Sequence, residues 1–215
     1  MLFCHVTSRV EDDAHQGLLQ EKGGRGFPYL VWMDAEGEVL AKQGDRSVEG
    51  FQQTLATLQR FLELERKAAD GDAEAAVDAL IAGIELGRYD VDQAKARFAA
   101  LGEVPAAKRQ QIDGLLLNLE VDARMASVRS QQQAIEAGRE FLAMEQQGRV
   151  PTGRAAITFH ALILEAHADA KDVKAYKAKL ETLRKVLAGE RNADRILKRF
   201  EARLEELEQA EKGDD

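Results

Sequence analysis

Residues 22–44 read KGGRGFPYLVWMDAEGEVLAKQG. Gly23, Gly24 and Gly26 stop whatever helix precedes them, and Tyr29–Met33 follows as an apolar run of β-branched and aromatic side chains. Such a run, with apolar groups directed to both sides, predicts a strand covered on both faces. Asp34-Ala35-Glu36-Gly37 supplies a turn, and Glu38–Lys42 returns beside the first strand as its antiparallel partner, ended by Gly44-Asp45. Upstream, Leu2–Thr7 (LFCHVT) fits a short strand, and Asp12 or Asp13 caps a short helix through Leu18, Leu19 and Lys22. Downstream, Ser47 is a good N-cap. Phe51, Leu55, Leu58 and Leu62 recur at spacings of four, three and four, a stripe predicted to bury one helix face against the sheet.

From residue 73 the pattern changes to helical spacing throughout, with segments expected near 73–86, 90–101, 104–128, 131–147, 152–168, 171–188 and 192–211. Gly87, Gly102, Gly148-Arg-Val-Pro151 and Gly189 separate them. Each segment has an apolar face, for example Val173, Tyr176, Leu180, Leu183 and Leu187, then Ile196, Phe200, Leu204 and Leu207. Isolated helices of this length are marginal in water, so the faces are expected to stack on one another. The Lys67–Asp72 stretch, with its Gly and paired acids, is the expected boundary between a domain over residues 1–66 and an α-helical repeat-like domain over residues 73–211. The fold class is therefore α+β and predominantly α: a βαββα unit followed by antiparallel helical hairpins.

Composition excludes several functions. Among 215 residues, 38 Asp and Glu outnumber 30 Lys and Arg, a formal charge of -8 that opposes a grip on a phosphate backbone. No nucleic acid is expected as a partner. No apolar run approaches the roughly 20 residues that span a bilayer, so no membrane is expected either. The N-terminal residues lack the pattern of a secretory signal, from which a cytoplasmic location is expected for the chain as written. A single cysteine, Cys4, makes neither an intrachain disulfide nor a dithiol redox pair.

The order of glycine loop, Phe27-Pro28, strand, Asp-x-x-Gly hairpin, strand and Ser47 helix resembles the second half of a thioredoxin-like domain, over about the first 65 residues. The resemblance implies that Pro28 occupies the cis-proline position, with Phe27 before it, in the loop that lies beside the redox centre of active relatives. It also exposes a departure. Active thioredoxins carry Cys-x-x-Cys after their first strand, so that a low-pKa thiolate attacks and a second thiol resolves. This sequence has no such pair, and Cys4 falls in what resembles a later strand. The family's first strand and catalytic helix are expected to be missing, either through a shortened N-terminus or in a degenerate module kept as a scaffold. Leu86-Gly-Arg-Tyr-Asp-Val-Asp-Gln-Ala94, with Phe98, Leu101 and Pro105, resembles part of a tetratricopeptide repeat, though without a regular 34-residue recurrence.

Candidate chemistry is sparse. Cys4 is the one candidate reactive thiol, and His5 beside it points to the opposite side of a strand, so the two do not form a nucleophile and base. His160 and His167 are two turns apart on one helix, about 10 Å, too far to share an ion. No metal and no cofactor are expected. Gly23-Gly24-Arg25-Gly26 lacks the phosphate-loop pattern and leads into a strand. Trp32 reads as a sheet-core side chain, and Lys171, Lys174, Lys177 and Lys179 as one solvated helix surface among acids. The expected function is a noncatalytic thioredoxin-like scaffold or protein-interaction module, with a protein or peptide partner and a homodimer left open. The alternative is a thiol-disulfide oxidoreductase of cell redox homeostasis, in a longer form carrying the missing N-terminal motif.

Overall fold

The computed structural model describes residues 15–213. The strand expected at Leu2–Thr7, the cap at Asp12 or Asp13, and Cys4 and His5 lie outside the described residues. The element order is α1 (Leu18–Glu21), β1 (Val31–Met33), β2 (Val39–Lys42), α2 (Val48–Ala69), α3 (Ala73–Glu85), α4 (Val91–Ala100), α5 (Ala106–Ser127), α6 (Gln131–Gln146), α7 (Gly153–Asp169), α8 (Val173–Val186) and α9 (Ala193–Gly213). The described chain is mostly helical, with one two-stranded antiparallel sheet. It divides into two compact units, the first running to Tyr89 with Ala100–Gly102, the second comprising Asp90–Ala99 and the chain from Glu103 onward.

In the first unit, β1 and β2 pair with Val31 opposite Lys42 and Trp32 opposite Ala41, then slip so that Met33 faces Val39. The Asp34 turn closes them: its Oδ1 accepts from the Glu36 and Glu38 amides at 3.1 and 2.8 Å, and Gly37 takes φ 84°. That conformation costs a residue with a Cβ, which is why glycine stands there. Ser47 caps α2 by accepting from the Gly50 amide at 3.0 Å, and Asp72 caps α3 by accepting from Glu74 and Ala75. Two amides satisfied by one carboxylate start α3 only three residues after α2 stops. The Lys67–Asp72 stretch is thus the last residues of α2 followed by a tight turn at Asp70–Asp72, inside the first compact unit, across which α2 and α3 pack.

Two expectations for this unit are corrected. Val31, Trp32 and Met33 are only half-buried, so β1 is not fully covered on both faces. The buried face of α2 is Gly50, Leu58 and Phe61, while Phe51, Leu55 and Leu62 of the expected stripe are exposed. The reason is geometric: α3 packs along α2 and selects the Leu58–Phe61 side, whereas the small sheet meets α2 through β2 and leaves the neighbouring side uncovered.

The second unit is a helical-repeat-like succession of helices joined by short loops. Ser130 caps α6 and Asp172 caps α8, each side chain accepting an amide three residues on. Between α6 and α7 the Phe141 and Phe159 rings stack at 5.0 Å, beside Val121 and Ile163. Gly138 makes this approach possible, because a Cβ there would overlap the Leu162 carbonyl oxygen. A second core joins α7, α8 and α9 through Leu164, Tyr176, Leu180, Leu183, Phe200 and Leu207. Within it the Tyr176 hydroxyl donates to the Phe200 carbonyl at 3.0 Å, satisfying a buried group.

Candidate functional site

The loop before β1 is held from below and open above. Tyr29 donates its hydroxyl to the Lys22 carbonyl at 2.7 Å, and burial raises its pKa. Phe27 and Pro28 are both exposed, Phe27 at 65%, and the peptide bond between them is cis. The two residues singled out in the sequence therefore present an aromatic ring and a proline to solvent. Trp32, the middle residue of β1, donates Nε1–H to Gln43 Oε1 at 2.8 Å and lies against Phe51, with centroids 6.1 Å apart. It is a half-buried packing group.

Around the hairpin, α2 presents Val48 at 69% exposure and Phe51, Leu55 and Leu62 at 37%, 38% and 47%. Their spacing of three, four and seven places them along one side of the helix. No Asp, Glu, Lys or Arg interrupts residues 50–59. An uncharged, partly apolar helix side on a chain that is 32% charged is the kind of surface that marks an association site. Sequence reasoning identified Phe51, Leu55 and Leu62 but assigned them to the core, and it missed Val48.

The outer edge of β2 is closed by a residue that sequence reasoning missed. Arg88 Nη1 donates to the Leu40 carbonyl at 2.8 Å, the guanidinium lies 4.9 Å from the Phe61 ring centroid, and the Lys42 amide reaches the Leu86 carbonyl at 3.5 Å. Side-chain capping of this kind blunts a strand edge that would otherwise pair with another chain. A recess of about 210 Å³ lies there, lined by Lys22, residues 39–42, Gly87 and Arg88.

In the second unit, polar groups converge at two places. Glu120 accepts from Lys95 at 2.7 Å and from Arg149 at 2.6 Å, beside a recess of about 390 Å³ floored by Leu116 and Leu117. At the other, Glu145 on α6 binds Lys179 on α8 through both carboxylate oxygens, at 2.6 Å for Oε1. Lys179 is 8% exposed, so the lysine run 171–179 is not a uniformly solvated surface, and its last member is a buried ion-pair partner. His160 on α7 is 3% exposed, and its Nδ1, 3.7 Å from Glu145 Oε1, has no hydrogen-bond partner. Burial holds His160 below the ordinary histidine range, with the Lys179 ammonium adding to the effect and Glu145 acting against it. His167 is lowered chiefly by burial as well, against Asp172.

Among the described residues no group of three or more His, Cys, Asp or Glu side chains is arranged to hold a metal. No described helix is long and apolar enough to cross a membrane. No protein-family model, no curated protein and no solved structure matches the chain.

Proposed function

We propose that the chain is a noncatalytic scaffold, a thioredoxin-like unit without a dithiol pair joined to a helical region, that works by binding another protein. The observation that carries this reading is the uncharged side of α2, where Val48, Phe51, Leu55 and Leu62 stay exposed at helical spacing. Burying such side chains in a partner gains about 25 cal/mol for each Å² of apolar surface removed from water, before the costs of association. The exposed Phe27–Pro28 loop adds a second contact surface in the same unit. With one cysteine in the sequence, the attack-and-resolve cycle of a dithiol enzyme has no second thiol within the chain.

The test uses the full chain with a photo-crosslinking phenylalanine analogue at position 55, expressed in the source cell. A discrete protein adduct is expected, lost on Leu62→Asp at unchanged melting temperature. No adduct, or the same adducts from exposed Lys174 on α8, would sink the interaction role. Insulin-disulfide reduction separates the oxidoreductase alternative: turnover by the chain that disappears in Cys4→Ser, or turnover by an in-frame upstream extension carrying Cys-x-x-Cys, favours the enzyme.

A further inference from the structure

The Glu145, Lys179 and His160 side chains come from three consecutive helices of the second unit and meet where Lys179 and His160 are buried and the Glu145 side chain stays 27% exposed. One carboxylate serves two basic groups. Lys179 occupies both of its oxygens, and His160 stands at 3.7 Å, outside hydrogen-bond distance, with its Nδ1 unsatisfied. The His160 ring is further confined by an edge-on contact with Phe159, 5.4 Å between centroids. A buried polar atom without a partner is costly, so the arrangement persists because the surrounding packing holds the ring in place.

We propose that this junction is an acid-operated latch, in which a proton taken up from solvent at His160 Nδ1 draws Glu145 away from Lys179 and loosens α6, α7 and α8. In the neutral state the site holds one cation and one anion. Protonation adds a second cation that shares the same carboxylate, and the imidazolium N–H then requires an acceptor, for which Glu145 Oε1 stands 3.7 Å away. Drawing Glu145 toward His160 leaves the Lys179 ammonium short of its partner in a place that is 8% exposed, where an unpaired charge is poorly tolerated. The charges that act on His160 are Glu145 from α6 and Lys179 from α8, while His167 on its own helix feels the same pair together with Asp172 at the start of α8. The effect is directed because α6 and α8 both pack on α7 and the ion pair links them past His160.

Hydrogen exchange and histidine NMR on the full chain test the latch. As pH falls from about 7.5 to about 5, the range in which histidine changes charge, protection factors of α6, α7 and α8 amides are expected to drop about tenfold or more with the His160 titration. His160→Phe abolishes that drop, and His167→Phe keeps it. In Lys179→Met the His160 midpoint moves up, because one carboxylate then serves one cation. An unchanged midpoint in Lys179→Met, a protection loss that follows His167, or protection that survives full His160 protonation overturns the proposal. The NMR titration of the unsubstituted chain decides the matter even if His160→Phe fails to fold.

Discussion

The two compact units solve the burial problem differently. In the second, apolar stripes on α5 to α9 find one another, and its described residues include every one of the largest fully buried side chains, from Ile112 and Val121 through Phe141 and Phe159 to Tyr176 and Leu187. In the first, a hairpin of seven strand residues and the long α2 leave Phe27, Val48, Phe51, Leu55 and Leu62 exposed, while only Met125 and Val150 are comparable in the second. The difference teaches that amphipathic spacing guarantees burial only where a matching face exists. Helices supply such faces to one another all along the second unit. A two-stranded sheet offers α2 too little area, so part of its apolar side stays outside.

Truncations in the second unit should break this contrast most severely. Phe159→Ala removes a ring stacked on Phe141 and should cost about 3 to 5 kcal/mol in urea unfolding followed by circular dichroism. On α2 the same logic can be set against itself within one helix. Leu58→Ala, at 5% exposure, should cost about 2 to 5 kcal/mol, whereas Leu55→Ala, at 38%, should cost less than about 1. The single tryptophan, Trp32, lies in the first unit and gives a fluorescence signal for that comparison. Equal losses at positions 55 and 58 would mean that the side of α2 described as open is covered in solution. Gly138→Ala forces a Cβ into the Leu162 carbonyl and should cost about 1 to 3 kcal/mol through separation of α6 and α7, visible as a lowered melting temperature. Tyr176→Phe removes one buried hydrogen bond, from the hydroxyl to the Phe200 carbonyl, and should cost about 1 kcal/mol.

Acid should sharpen the contrast too, since the histidines with displaced affinities lie in the second unit. The native pKa values of His160 and His167 are lowered from 6.5 by burial, so below pH 6.5 the unfolded chain binds more protons than the folded one. Stability from these groups is therefore fully present above pH 6.5 and declines as pH falls through the native values. Urea midpoints measured across that interval should fall, and the fall should shrink when both histidines are replaced by phenylalanine. Tyr176, raised chiefly by burial, acts at the other end: its contribution is present below pH 10 and is lost as pH rises further.

The elements legible in the sequence were those governed by local chemistry. Ser47 capped its helix because a hydroxyl next to three unpaired amides needs no distant partner, and the Asp34–Gly37 turn closed through its own carboxylate. Seven helical segments after residue 72 were readable from apolar period and glycine breaks, each observed within a few residues of its expected bounds. The α2 face was misassigned because period marks a stripe without saying which part of it a neighbour covers. Arg88 gave no signal at all, since its capping of β2 joins residues 48 apart. Lys179 looked like one more surface lysine because Glu145, 34 residues away, cannot be recognised as its partner without the helices that bring them together.

By itself the sequence determined where helices start and stop, the position of the hairpin, the acidic balance and the lack of a second thiol, because each follows from neighbouring residues or from counting. The tertiary structure alone decided which apolar side chains remain exposed, which arginine closes the strand edge, and that one carboxylate stands beside both a buried lysine and a buried histidine. Burial and charge pairing depend on surfaces brought together from distant parts of the chain, and no local pattern encodes which surfaces will meet.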